Sequence, residues 1–444
     1  MDVIPLIAHT APDDIVAYRR GRPIQAARFL ADVSRVAALL PVTQHLLNAC
    51  RDRYNFAVGL AAGAVSNRVN LLPSTHTPDV IRHVRRFAPD AVCLTDDPSC
   101  EIELPLIPFP DDATPGSRDW CVTKIPTNQC VAYVFTSGTT GEPVPHAKTW
   151  GRLVRSVQIE AERLGINDGR CRAIVATVPP QHMYGFETTV LLALQNGHAI
   201  GAERPFYPAD IATSLATSPA PRVLVSTPIH LRTLIASDVE LPPIELFVSA
   251  TAPLAESLAR DLEARFGAPV LEIYGATETG QIASRRTTET AEWWLWPDVR
   301  IENRGDQAWV LGSQVEEPTP MGDILEVTGP DRFLLHGREA DLVIIAGKRS
   351  SLAYLNHQLT SIPGVLDGAF FWPDDKKVTP TGGVSRLAAL VVAPTLDAKA
   401  ITKSLRERLD PAFLPRPLLI VPEIRRNATG KLPRHVLQTL LSAR

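Results

Sequence analysis

The stretch Val131–Gly141, VAYVFTSGTTG, decides how this chain is read. Val131–Phe135 is a short apolar run of β-branched and aromatic residues, which predicts a strand. It runs directly into Thr136, Ser137, Gly138, Thr139, Thr140 and Gly141, a segment with two glycines and four hydroxyls. Glycines there let backbone N–H groups come close to a ligand, and the hydroxyls can donate to phosphate oxygens. Taken alone, the same residues also make an ordinary polar surface turn. A GxxxxGK[ST] loop does not occur anywhere in the chain, so the segment is not a Walker loop.

Working outward, further short apolar runs have strand length and β-branching: Ala173–Val178, Val223–Val225, Leu246–Val248 and Val270–Ile273. Between the last two, Leu258, Leu262 and Phe266 share one helix face, and Gly267 follows as a stop. Strand, helix and strand repeated in this way predict an α/β fold with largely parallel sheets, whose ligands gather beyond the strand C-termini. The main boundary is expected near Arg338–Ala340, giving a large domain over 1–338 and a smaller α+β domain over 339–444. The smaller one should hold helices at Leu352–Leu359 and Ala398–Leu409, with strands at Ala369–Trp372 and Leu387–Val392.

The 444 residues carry a formal net charge of −3, so no global positive field points to nucleic acid. The N-terminal MDVIPLIAHTAPDD lacks a basic stretch followed by an apolar run, so no secretory signal is expected. No apolar segment reaches the roughly 18–20 residues of a membrane span. Six scattered cysteines without a CxxC pair read as reduced thiols of a cytoplasmic protein.

Several polar motifs follow the predicted strands. In Tyr274-Gly275-Ala276-Thr277-Glu278 an aromatic can stack on a purine, a threonine can bind phosphate and a glutamate can hold Mg²⁺. Gly322-Asp323 offers a carboxylate to a pair of ribose hydroxyls, although a turn is the simpler reading of those two residues. Gly337-Arg338 and Thr429-Gly430-Lys431 are unremarkable alone: an exposed salt bridge and a solvated lysine.

In order along the chain, these segments resemble the core motifs of the acyl-adenylate-forming superfamily, which includes acyl- and aryl-CoA synthetases. FTSGTTGEP is similar to its phosphate loop, PPQHMYGFE (Pro179–Glu187) to its acid-site loop, and SATAPL (Ser249–Leu254) to its adenine-site turn. YGATE, MGD (Met321–Asp323), HGREADLVIIAGKRSS (His336–Ser351) and NATGKLPR (Asn427–Arg434) follow in register. The resemblance implies ATP and Mg²⁺ as cofactors and a mobile C-terminal domain. It implies that Thr136–Gly141 hold the β- and γ-phosphates, with Ala252, Tyr274 and Gly275 at the adenine. Thr277 would touch the α-phosphate, Glu278 would hold the metal, and Asp323 with Arg338 would bind the ribose. Lys431 would bridge the acid carboxylate and the α-phosphate. For the acid itself it implies His182, Met183, Tyr184, Phe186, Ala250, Thr251, Gly280 and Ile282. Gly347 would line a tunnel for the acceptor thiol.

Three departures stand out. The family loop continues G-x-P-K, whereas Gly141 is followed here by Glu142, Pro143 and Val144. Lys148 is left as either a substitute that reaches back to the phosphates or a solvated side chain. The hinge position is Ala340, with Asp341 next to it, and the segment from Gly312 to Asp323 is short. Aromatic and small residues around the acid suit a flat, short acid. PHAKTW and the run Ser350–Val365 look most like ligases of bacterial aryl-polyene and xanthomonadin pigment clusters. Those load hydroxybenzoate-type acids onto an acyl carrier protein. Lys348, Arg349, Arg425 and Arg426 would then face the acidic carrier; CoA as the acceptor, and a nucleotide-binding protein without turnover, are the alternatives.

Overall fold

The computed structural model describes residues 2–110, 120–137, 143–305, 307–338, 342–345, 348–373, 386–424 and 426. Within them the expected α/β organisation is present as two large sheets with helices against them. Strand Cys130–Ser137 lies inside a six-stranded sheet, between Val69–Leu72 and Pro143–Thr149. It runs parallel to Val69–Leu72 and antiparallel to Pro143–Thr149. The latter is an edge strand, which explains how it tolerates both Pro143 and Pro145.

The second sheet has eleven strands. Its parallel part runs Ile15–Arg19, Ala199–Gly201, Ala173–Ala176, Arg222–Ser226, Leu246–Ser249 and Val270–Ala276. Ala173–Ala176 and Leu246–Ser249 are buried throughout, as expected of parallel strands covered on both faces. Helix Glu256–Phe266 packs Leu258 and Leu262 inward and stops at Gly267, whose φ is 67°. Past Val270–Ala276 the sheet turns antiparallel through Gly280–Arg286, Trp293–Leu295, Arg332–Arg338 and Asp323–Gly329.

One expectation is corrected here. Tyr274, Gly275 and Ala276 are not the exit from a strand. They are its last residues, and Gly280–Arg286 returns beside them. Thr277, Glu278 and Thr279 therefore form the tip of a β-hairpin.

The C-terminal residues build their own small core. Helix Leu352–Thr360 is capped by the Ser351 side chain, which accepts from the Tyr354 amide. Leu355, Leu359, Phe370, Ala389, Ile401 and Leu405 form one buried cluster. It joins that helix to Ala398–Arg406 and to a sheet of Asp367–Phe371, Ala388–Val392 and Leu418–Ile420. An Arg232 guanidinium donates to the Leu366 carbonyl at 3.3 Å, tying this unit to the larger one. Residues 339–341, at the expected boundary, lie outside the described residues. No described helix is long and apolar enough to cross a membrane, and all six cysteines are free.

Candidate active site

The hairpin Val270–Ala276/Gly280–Arg286 sets the centre of the site. A β-bulge falls between Tyr274 and Gly275. A Cβ on Gly275 would lie 2.3 Å from the Gly280 carbonyl oxygen, so only glycine lets the two arms close. Thr279 holds the tip: its hydroxyl accepts from the Ala276 amide at 3.2 Å and donates to the Gly280 carbonyl at 2.8 Å. Thr277 and Glu278 are left half-exposed at the tip.

Edge strand Pro143–Thr149 brings a second group of residues to that tip. Thr136 Oγ1 lies 3.0 Å from His146 Nε2, and the same nitrogen is 3.8 Å from Glu278 Oε1. His146 thus hydrogen-bonds the start of the phosphate segment and lies close to the carboxylate expected to hold metal. Burial pushes its pKa below the ordinary imidazole value, against the pull of Glu278. Sequence reasoning missed His146. Its signal was the strand period: Val144, His146 and Lys148 share one face, and that face runs from the surface into the interior.

Asp323 and Tyr274 also meet. The Tyr274 hydroxyl donates to Asp323 Oδ2 at 2.6 Å, and its ring is flanked by Trp293 and Phe333, both with centroids 5.5 Å away. Asp323 and Arg338 are direct partners in the strand register. Ala250 is buried at the end of strand Leu246–Ser249, while Thr251 and Ala252 are exposed in the turn beyond it. Thr251 has a φ of 79°, an outlier for a β-branched residue and a form of strain found at ligand sites. Ser137 ends its strand, while Gly138, Thr139, Thr140, Gly141, Gly347 and Lys431 fall outside the described residues.

The acid-site residues divide. His182 is the half-buried N-cap of a short helical turn, and Met183 follows in its first position. Met183 and Gly280 line a small cavity together with Lys148, Glu187 and Gln314. Phe186 and Ile282 are instead fully buried in the main core. The Tyr184 hydroxyl donates to the Ser226 and Val248 carbonyls, each at 3.1 Å, and so staples two parallel strand ends together.

Lys148 corrects one of its sequence readings, that of a solvated side chain. It is only 3% exposed, so it is not solvated. The register pairs Val144 with Thr136 and Lys148 with Ala132, which carries Lys148 inward. Its Nζ donates to the Glu278 carbonyl at 3.0 Å. Burial lowers its pKa, opposed by Glu187, Glu316 and Glu278.

Mg²⁺ takes oxygen ligands and is commonly held by one or two carboxylates together with substrate phosphates and water. Among the described residues no group of three or more acidic or histidine side chains forms a cage. A single half-exposed carboxylate, Glu278, beside the phosphate segment fits a metal that arrives with its nucleotide. Bound there, Mg²⁺ would neutralise phosphate charge.

Fold and site together define an adenylate-forming enzyme of the acid–thiol ligase class, which uses ATP and Mg²⁺. The chain belongs to the AMP-binding enzyme family, whose model matches residues 44–315. It is 31% identical to a 4-coumarate–CoA ligase of Halorhodospira halophila over 316 residues, 67% of this chain and 73% of that protein. It is also 31% identical to a 4-coumarate–CoA ligase of Rhodobacter capsulatus over 230 residues, 52% of this chain and 57% of that protein. Among solved structures it resembles the o-succinylbenzoate CoA synthetase MenE of Bacillus subtilis with its acyl-adenylate intermediate. The TM-score is 0.82 at 20% identity, covering 99% of each chain. Another structure of that enzyme holds ATP and a magnesium ion.

Proposed function

We propose that this protein activates a short aromatic acid of the hydroxybenzoate type with ATP and Mg²⁺, forming an acyl-adenylate, and then transfers the acyl group to a phosphopantetheine thiol. The observation that carries the reading is the convergence of Thr136, His146 and Glu278 at one hairpin tip, with Tyr274 of the same hairpin joined to Asp323. Activation requires two anions, a carboxylate and a triphosphate, to meet. A metal at Glu278 and the ammonium of Lys431 supply the opposing charge, and Thr277 orients the α-phosphate. In a site closed to water, such fixed charges count for more than in bulk.

For the acceptor, CoA is supported by the relatives, which are CoA ligases by name. Transfer to an acyl carrier protein rests on the likeness of PHAKTW and Ser350–Val365 to the pigment-cluster ligases. Two of the basic residues assigned to the carrier are already paired: Lys348 with Asp410, and Arg426 with Asp367 at 2.8 Å. That pairing favours CoA.

The test is pyrophosphate release by the pure protein with ATP, Mg²⁺ and a panel of benzoates, cinnamates and fatty acids. Acid-dependent release is expected with aromatic acids, falling at least ~100-fold in Glu278→Ala. Release with no acid on the panel would leave a nucleotide-binding protein without turnover. Offering CoA and a phosphopantetheinylated carrier protein side by side then identifies the acceptor by which one gains the thioester.

A further inference from the structure

Beneath the hairpin tip lies a cavity of about 10 Å³, lined by Lys148, Met183, Glu187, Gly280 and Gln314 among others. That is on the order of a single water, or one hydroxyl group. Its walls are unusually polar for an interior. Glu187 is 1% exposed; its Oε1 accepts from the Ser156 hydroxyl at 2.9 Å, while Oε2 has no hydrogen-bond partner. Gln314 is 5% exposed, and its Nε2 is likewise without a partner. Buried polar atoms left unpaired are costly, and in a native protein they call for a reason. Here one orphan is an acceptor and the other a donor, and the Lys148 ammonium lies alongside.

Glu187 also meets two of the residues expected to line the acid pocket. A Cβ built on Gly280 would lie 3.1 Å from Glu187 Oε1 and 3.6 Å from both Glu187 Oε2 and the Met183 Cε. Met183 and Gly280 are the two acid-site residues that line the cavity. The cavity therefore adjoins the pocket expected to hold the acid.

We infer that this cavity reads a hydroxyl group on the acid: Glu187 accepts its hydrogen bond, while Gln314 and Lys148 donate toward its oxygen. The inference rests on the acid-activation reading above. A hydroxyl both donates and accepts, so it satisfies both kinds of orphan. An aromatic amine donates but accepts poorly, a methoxy group only accepts, and a bare ring leaves all of them unpaired. The order expected is hydroxyl, then amino, then methoxy and hydrogen.

The experiment compares benzoate with its 3- and 4-hydroxy, amino and methoxy derivatives. Two readouts are used: kcat/KM for acid-dependent ATP–pyrophosphate exchange, and calorimetric binding of each acid to the protein with AMP. At the productive ring position the hydroxyl should be favoured over hydrogen by roughly 10- to 100-fold. Glu187→Gln should collapse that ratio toward one, and Lys148→Met, a near-isosteric change, should shrink it. A wild-type ratio near one at both positions overturns the inference. So does a ratio unchanged in a Glu187→Gln protein that melts as a folded enzyme, because the cavity then merely holds a structural water. If Glu187→Gln does not fold, Lys148→Met decides on the same ratio. If no acid supports exchange, the activation reading has failed, and the calorimetric order still upholds or overturns the hydroxyl preference.

Discussion

At the scale of single residues, one strand face redistributes the positive charge of the phosphate end. Val144 stands where the resembled family has a lysine, and Lys148 points its ammonium at the Glu278 carbonyl instead. His146, between them, is the residue that touches both Thr136 and Glu278. Burial lowers its pKa, so the imidazole acts as a hydrogen-bond partner of Thr136 and not as a substitute cation. His146→Ala should therefore raise the KM for ATP, roughly 10-fold for the loss of one buried hydrogen bond beside a charge. His146→Gln, which keeps a donor and an acceptor, should restore part of it. Steady-state exchange kinetics at varied ATP check both. A His146→Ala enzyme with wild-type ATP dependence would remove His146 from the site.

At the scale of elements, the hairpin carries the argument. Gly275→Ala places a Cβ 2.3 Å from the Gly280 carbonyl and 2.9 Å from the Gln281 Cα, both of them backbone atoms that cannot swing aside. The expected cost is about 1–3 kcal/mol of stability, with loss of exchange activity as the tip shifts. Chemical denaturation and exchange on the same preparation check this together. The strands themselves were legible in the sequence. Ala173–Ala176, Arg222–Ser226 and Leu246–Ser249 are short β-branched runs because both faces of a parallel sheet are covered. The helix stop at Gly267 was legible for a similarly local reason, its left-handed φ. The hairpin was not legible, because nothing local in ATETG distinguishes a loop from a two-stranded return; the register with Gly280–Arg286 is a pairing between strands. Nor was the division of acid-site residues. Phe186 and Met183 are both apolar and both join the core, and only packing decides that the second also lines a cavity. Lys148 and Glu187 escaped for the same reason: sequence shows a charge but not how deeply its strand or helix is buried.

At the scale of the whole molecule, the interior holds ionisable groups that prefer their neutral forms, which sets how stability responds to acid. His198 is 1% exposed and its pKa is pushed down to about 4 by burial, assisted by the positive Arg172. His230 is pushed down to about 4 by burial, assisted by Arg204. Burial also lowers His9. Unfolded, each would titrate at the ordinary imidazole value near 6.5. Between about pH 6.5 and 4 the unfolded chain therefore binds more protons than the native one, and stability falls as pH falls through that window. Glu187 acts in the opposite sense. Burial raises it to about 7 against the pull of Lys148, so it favours the native state at low pH and its contribution is lost as pH rises from about 4.5 to 7. Asp168 is held far below the carboxylate range by Arg172 and Arg170, and its contribution persists until pH falls below 4. Glu160 and Asp52 are raised by burial in the same sense as Glu187, but more histidines are lowered, His76, His146 and His357 among them, so the urea midpoint should decline from pH 6.5 to 4. The decline should steepen in Glu187→Gln, which removes an opposing group, and become shallower in His198→Asn. A midpoint that stays flat across that window in the wild-type protein would mean that the buried imidazoles protonate without unfolding it. The interior around His198 and His230 would then have to admit water or rearrange to accept the charge.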